Sequence, residues 1–596
     1  MSRAKRPGPA APGAARTSSA RVAVGPLPAA TRALRAAALT LLALRVLAGV
    51  VPGRWLWGLD LGRDLAPWSW WLPLGLTLIA FVPAVAERLA RLAPRGERGA
   101  NALAVMLAAA LALFVWLHPD RALYTGDTSL RHGAFAMLED PTPFAEQALR
   151  GDLVLHHALP RWVAAHTPFS AEDTGRAQGA LLAFATALTG WGLARTLGAR
   201  GAVALAVMVV ASSSAALALD NGYGKSTVEL AWLTTLAAVG VVRATRDGGG
   251  LWITGLTVAA ALLLHRSALA LLPAWFACAA LALGARRWRT TAQAGSLVIG
   301  LAAPLAALAF VLPQLTRIVG GFDTPKHLHG GAAAALAFAF TPMHLTDVVQ
   351  VLCLLAPLLL LLPVLLLLGP RPSAREALGW SAFVLPLAGM VLVVVPQHGL
   401  ARDWDVFALT GAAFAACAAW RLGAVLGAAP ASASLALPLA LVALVPALQW
   451  TALQSDSERM WSRAEAILVG PPARDANERA DSFATIGMMR FGRGQYEPAR
   501  RLFERAAEAA PNPSTFVRWG MAETMLGRPQ QAMTRYLHAA ELNPDLVTAW
   551  RGVASAASAL GDRVHMQHAV TALERLEPQG QTVFDAKAWL ASTAAR

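Results

Sequence analysis

The chain has 596 residues, of which 56% are hydrophobic and only 15% charged. That balance excludes a disordered protein and an ordinary soluble enzyme, and the length raises the question of where the chain divides. The formal charge of +15 invites a nucleic-acid reading. The arginines, however, cluster between apolar runs, where they act as topology signals, so nucleic acid is not an expected partner.

Residues 1–32 are rich in Pro, Ala, Ser and Arg without an apolar core and read as a disordered basic tail on the cytoplasmic side. From Ala33 onward about thirteen apolar runs approach the ~20 residues needed to cross hydrocarbon. Their cores are Ala33–Val51, Pro67–Val85, Ala102–Leu117, Gly179–Leu197, Ala202–Leu219, Val228–Val242, Leu251–Leu264, Ala268–Leu283, Ala294–Leu312, Val348–Leu368, Ala377–Val395, Val406–Val425 and Leu435–Ala452. Basic clusters at Arg88/Arg91/Arg95/Arg98, Arg195/Arg200, Arg243/Arg246, Arg286/Arg287/Arg289 and Arg371/Arg375 recur after every second run and place those ends in the cytoplasm. Cys278, Cys353 and Cys417 each fall inside an apolar run, which argues against a disulfide framework or a zinc knuckle. The Arg and Ala bias suggests a GC-rich bacterial genome, which puts the chain in the inner (plasma) membrane.

The opposite, outer side receives the long segment 118–178 and short turns at 220–227, 265–267 and 397–405, together with segment 313–347. Within the long segment, Pro143–His166 has helical periodicity and reads as helix lying on the membrane surface. Ala332–Phe340 is apolar but too short to span.

Residues 454–479 read as a linker, and 480–596 as a soluble helical domain. There Phe483, Gly487, Gly494, Ala499, Phe503, Ala506 and Pro511 are matched by Phe516, Gly520, Gly527, Ala532, Tyr536, Ala539 and Pro544. A third copy carries Trp550, Ala554, Gly561 and Pro578, a period of about 33 that fits tetratricopeptide repeats, with Val583–Thr593 as a capping helix. The expected fold is therefore all-α: a polytopic membrane helix bundle followed by a tetratricopeptide α-solenoid.

Ionisable residues beside a bilayer are costly, and here they gather at outer span ends. Asp127, in Tyr124-Thr-Gly-Asp127, suits a general base at the mouth of an apolar cavity, with Arg131 and His132 placed to meet phosphate; the alternative is a helix cap. Asn221-Gly-Tyr-Gly-Lys225 is not a phosphate loop, because the first glycine of that motif falls on Leu219. Lys225 either meets an anionic head group or snorkels. His265 and Arg266 either clamp a lipid-linked phosphate or anchor a helix end. His344 precedes the tenth run as an interfacial aromatic or a binding residue. Arg402, Asp403 and Asp405 form a dense polar group. Its Asp-x-Asp can offer hard oxygens to a divalent metal, while an Arg402–Asp403 structural pair competes with that reading. No residue is assigned as a metal ligand.

Taken together, the run Gly126-Asp127, Asn221-Gly-Tyr, His265-Arg-Ser-Ala-Leu, His344-Leu-Thr-Asp347 and Arg402-Asp403-Trp404-Asp405, followed by the repeats, resembles the GT-C superfamily of polyprenyl-phosphate-sugar-dependent glycosyltransferases. In architecture it is similar to transmembrane and tetratricopeptide-containing O-mannosyltransferases. The resemblance implies a polyprenyl-phosphate-linked sugar donor seated in membrane lipid, a protein or glycan acceptor recruited by the repeats, and transfer at the outer face. The family's first-loop acid falls on Asp127, although several relatives have two adjacent acids where this chain has Gly126 before Asp127 and Thr128 after it. Donor-phosphate contacts fall on Arg131, His265, Arg266 and Arg402. A membrane-anchored repeat scaffold without catalysis is the competing class.

Overall fold

The computed structural model describes residues 29–94, 96–131, 147–286, 288–323, 332–396, 398–428 and 430–594. His132, most of the basic tail and residues 132–146 of the long outer segment lie outside them. Among the described residues there are helices and turns but no strand.

Helix α1 (Ala29–Ala48) leads into α2 (Pro67–Ala80), α3 (Pro83–Leu92) and α4 (Glu97–Leu117). A π-helical turn, Val154–Ala158, opens α5 (Leu159–His166). The central bundle is built from α6 (Ala171–Thr196), α7 (Gly201–Ser212), α8 (Thr227–Asp247), α9 (Leu251–Leu264), α10 (Leu272–Gly284) and α11 (Thr291–Ile318). After α12 (Ala332–Ala339) come α13 (Pro342–Leu355), α14 (Leu362–Leu368), α15 (Ala374–Val393), α16 (Ala408–Ala428) and α17 (Ala436–Gln454). Helices α8 and α16 are the most enclosed, and small residues let their neighbours approach. A Cβ on Gly255 of α9, for example, would lie 2.3 Å from the Gly300 carbonyl of α11.

Each of the thirteen apolar runs is largely helical, but they do not make thirteen unbroken spans. Among the described residues eight helices are long and apolar enough to cross a membrane, or up to ten if each of two bent pairs is one span. The shortfall has three physical causes. Helix α1 carries Arg32, Arg35 and Arg45. Helices α7 and α9 have only 12 and 14 residues, about 18 and 21 Å against the ~30 Å of a hydrocarbon core. Finally, the α2–α3 and α13–α14 pairs bend by 87° and 97° at Pro83 and around Pro357. A break exposes carbonyls that a continuous helix would use. At the second break Arg45 Nη2 donates to the Pro357 oxygen at 2.8 Å, and its Nη1 donates at 2.9 Å to the Val442 oxygen of α17, which Pro446 leaves without its helical amide.

Residues 454–479, expected to be a connector, hold a helix, α18 (Ser457–Val469), capped by Asp456 and buried along Met460, Trp461, Ala464 and Ile467. Its fully buried Arg463 reaches Asp60, Asp64 and the Trp57 carbonyl in the α1–α2 loop, where Arg54 pairs with the same two acids. Then follow α19 (Ala476–Gly492), α20 (Tyr496–Ala509), α21 (Pro513–Met525), α22 (Pro529–Leu542), α23 (Val547–Leu560), α24 (Arg563–Leu576) and α25 (Gln581–Ala594), each packed on the next. The repeated small residues sit at these crossings: a Cβ on Gly487 would meet the Phe503 ring at 2.7 Å, and one on Gly520 the Tyr536 ring at 2.6 Å.

Candidate functional site

Four separated segments meet at one end of the bundle. The loop after α4 is pinned first. Asp120 accepts the Ala122 and Leu123 amides at 3.0 Å, its own amide donates to the Asn221 carbonyl at 3.2 Å, and the Ala122 amide donates to the Gln454 carbonyl at 3.2 Å. The Trp461 indole of α18 donates to the Ala122 carbonyl at 2.9 Å. Gly126 then turns the chain with φ +48°, a left-handed value that glycine adopts at little steric cost. Its amide donates to the Arg402 carbonyl at 3.2 Å. A Cβ there would lie 2.3 Å from the Tyr223 hydroxyl and 2.5 Å from Asp405 Oδ1, so this close approach admits only glycine.

Lys225 is the centre. Its Nζ lies 3.1 Å from Asp127 Oδ2 and 3.2 Å from Asp405 Oδ2, and the Tyr223 hydroxyl donates to Asp405 Oδ2 at 2.6 Å. Lys225 does not snorkel: its side chain is 10% exposed. The two carboxylates differ, because Asp405 is 0% exposed while Asp127 is 31% exposed, so Asp127 is the one that can meet a substrate. Asp127 spends its carboxylate on Lys225 rather than capping the turn that follows. The Lys225 ammonium, opposed by burial and aided by Arg131, holds the Asp127 carboxyl well below the usual carboxylate range. Burial works against charge on Lys225, but Asp127 and Asp405 outweigh it and raise its pKa. Burial, with Asp405 and Asp127, pushes the Tyr223 phenol well up, so it stays a donor.

A second layer fixes this centre. Arg131 bridges Asp152 (2.9 Å) and the Gly224 carbonyl (2.9 Å), and Asp152 also accepts the Ser226 amide at 2.8 Å. Burial opposes ionisation of Asp152, but Arg131 and His156 keep its pKa low. His156, turned inward by the π-turn, lies 2.9 Å from Glu229, which Gln178 also holds. His265 caps the following turn through Ser267 and feels Arg266, Lys225 and Arg131; burial and these charges lower its pKa well below the ordinary imidazole value. Arg266 donates to the Gln147 carbonyl at 3.0 Å.

Arg402 and Asp403 do not pair with each other. Arg402 donates from Nε to the Tyr124 carbonyl at 3.2 Å and stacks over the Tyr124 ring, while Asp403 pairs with His398 at 3.1 Å. With Asp405 turned to Tyr223 and Lys225, the Asp-x-Asp carboxylates serve different partners and do not form a chelate. Among the described residues no group of three His, Cys, Asp or Glu side chains could hold a metal ion. His344 stands apart from the centre: its Nε2 lies 2.8 Å from the Leu392 carbonyl and its ring packs on Phe338. Asp347, in the same motif, accepts from the Trp57 indole at 2.8 Å and pairs with Arg474.

Sequence reasoning missed Asp152, His156 and Glu478 as parts of this assembly. Glu478 of α19 lies so close to Gly399 that a Cβ there would sit 2.2 Å from Oε1. Burial, with Asp347, Asp403 and Asp475 nearby and Arg474 opposing, raises its carboxyl to about 7. No local signal announces such partners, since each meets groups from other segments: Asp152 meets Arg131 and the Ser226 amide, and His156 meets Glu229.

No family model matches the chain, and no curated relative is found. Among solved structures, the chain is similar to the first tetratricopeptide domain of Spaghetti (RPAP3) bound to an HSP90 peptide, with 20% identity over 20% of this chain and 95% of that one, at a TM-score of 0.20. It is also similar to the apo oligosaccharyltransferase of Archaeoglobus fulgidus, with 14% identity over 66% of this chain and a TM-score of 0.31. The chain spans 59% of that enzyme's length.

Proposed function

We propose that this chain is an integral membrane glycosyltransferase of the GT-C type, moving a sugar from a polyprenyl-phosphate-linked donor to an acceptor at the outer face of a bacterial inner membrane. The observation that carries this reading is the convergence of Asp127, Lys225, Asp405, Tyr223, Arg131 and Arg402 at one end of an apolar bundle. The reading keeps thirteen crossings, with α1, the two short helices and both bent pairs included, a cytoplasmic N-terminus and an outer tetratricopeptide array.

In this scheme Asp127 accepts the proton of the acceptor hydroxyl as that oxygen attacks the sugar, and the donor phosphate leaves with the bonding pair. A phosphate entering beside Lys225 competes with Asp127 for the ammonium, which stabilises the leaving anion and releases the carboxylate as base. Arg402 contributes Nη1, a buried donor with no hydrogen-bond partner among the described residues. The lipid tail lies against the apolar helices, and the repeats receive the acceptor polypeptide or another partner.

The test is sugar transfer in proteoliposomes supplied with radiolabelled polyprenyl-phosphate sugars. Asp127→Asn lowers turnover by about 100-fold or more while folding is kept; a scaffold gives no transfer in wild type and no difference in the variant. Labelling of Leu130→Cys from outside and Ser373→Cys only after permeabilisation supports the orientation.

A further inference from the structure

Behind the turn that carries Tyr223 and Lys225 lies a second polar pocket that the scheme above does not use. It sits between α4, α6, α7, α8 and α16, and its oxygen-bearing wall consists of Thr186, Ser212, Ser214, Asp220 and Thr235, the remainder being Leu and Ala. The cavity measures about 20 Å³, room for one water-sized occupant and nothing larger.

Asp220 is the only acid in that wall and is 6% exposed. Among the described residues its carboxylate makes no hydrogen bond and no ion pair. Ser212 Oγ donates to the Met208 carbonyl at 2.9 Å, and Thr235 Oγ1 donates to the Ala231 carbonyl at 3.0 Å. With their protons spent, both hydroxyls offer only lone pairs. The packing is shaped around these oxygens: a Cβ on Gly190 would lie 3.1 Å from Ser212 Oγ, and one on Gly411 2.7 Å from Ser214 Oγ.

A lone carboxylate in such a place is costly unless something neutralises it. The charged groups set against it are Glu229 of α8, held by His156 and Gln178, and no others in the wall contributed by α4, α6, α7 and α16. Among the described residues no cation lines the pocket. Hard oxygen donors with a single formal charge suit a small monovalent cation, whereas a divalent ion calls for more carboxylates.

We propose that the Asp220 pocket is a sodium site, in which one Na⁺ is held by the Asp220 carboxylate and by the hydroxyl oxygens of Ser212, Ser214 and Thr235. Binding exchanges one cation for one proton on Asp220, so charge balances. Burial and Glu229 push the Asp220 carboxyl well above the usual carboxylate range, which agrees with a proton as the competing occupant. Because Asp220 immediately precedes the Asn221–Lys225 turn, the ion stiffens the segment that presents Lys225.

The purified full chain is melted in detergent in NaCl, KCl and choline chloride at equal ionic strength, at pH 6 and pH 8. Sodium at about ten times its Kd raises Tm by about 1–3 °C over choline, more at pH 8 than at pH 6. Asp220→Asn removes the sodium-specific part. Ser212→Ala with Thr235→Val, which leaves the acid in place, moves the sodium midpoint up by about tenfold, and this decides the matter if Asp220→Asn does not fold. Equal shifts in sodium and choline, as a pocket holding only water gives, overturn the proposal. So does a wild-type sodium shift in Asp220→Asn, or an unmoved midpoint in the double variant.

Discussion

Replacing Lys225 by Met removes the one cation shared by Asp127 and Asp405, and the structure says which carboxylate then suffers. Asp405 is 0% exposed and keeps only the Tyr223 hydroxyl; Asp127, 31% exposed, can be hydrated. Breaking a buried pair while leaving its partner charged costs about 3–5 kcal/mol, whereas losing a solvent-screened pair costs about 0–1 kcal/mol. Lys225→Met is therefore expected to destabilise the fold by about 3 kcal/mol, nearly all of it through Asp405. The assay is unfolding by SDS titration of the single variants and of two double variants. Adding Asp405→Asn to Lys225→Met recovers most of the loss, while adding Asp127→Asn recovers less than about 1 kcal/mol. Equal rescue by either substitution, or a stable Lys225→Met, refutes the assignment of Asp405 as the buried anchor and Asp127 as the accessible acid.

Gly126→Ala places a methyl against Tyr223 and Asp405 and strains a positive φ; a loss of about 2–4 kcal/mol is expected in the same titration, against no loss for Gly192→Ala, whose Cβ would meet nothing within 4 Å. Arg45→Met strands the Pro357 and Val442 carbonyls in apolar surroundings and costs about 2–4 kcal/mol, read as a lower unfolding midpoint. Glu478, with an ordinary value of 4.5 raised to about 7, binds its proton more tightly when α19 is docked. Docking is then strongest below about pH 4.5, weakens as pH rises between 4.5 and 7, and is flat above. Amide exchange in residues 398–405, corrected for the chemical rate, follows that profile, and Glu478→Gln abolishes it.

The helical class and the apolar runs were legible because a membrane segment declares itself by length and composition. Continuity was not. Pro83 and the Ala356-Pro357 break lie inside runs whose hydropathy is unbroken, and α7 ends at Ser212 although apolar residues continue to Leu219. The polar tips Asp127, Lys225, Arg402 and Asp405 stood out against an apolar background. Their pairings did not, because sequence proximity is a poor guide to partners in a bundle: Asp403 neighbours Arg402 yet bonds His398, and Lys225 finds its acids about 100 and 180 residues away. The small residues of the repeats recur for local reasons: Gly487 and Gly520 let an aromatic ring approach, while Gly494, Gly527 and Gly561 turn the chain at positive φ. His344 shows the converse, a residue conspicuous in its motif whose side chain meets the Leu392 carbonyl and the Phe338 ring, away from the site.

The Arg54–Asp60–Asp64–Arg463 cluster joins residues made far apart in time. Arg54 is made within ten residues of both acids and can shield them as soon as the first hairpin is inserted. Arg463 emerges some 400 residues later, after every apolar helix has left the ribosome. The clasp between the first loop and α18 therefore closes only after the apolar helices are made, and a nascent chain halted before Arg463 lacks the pairing that joins that loop to α18.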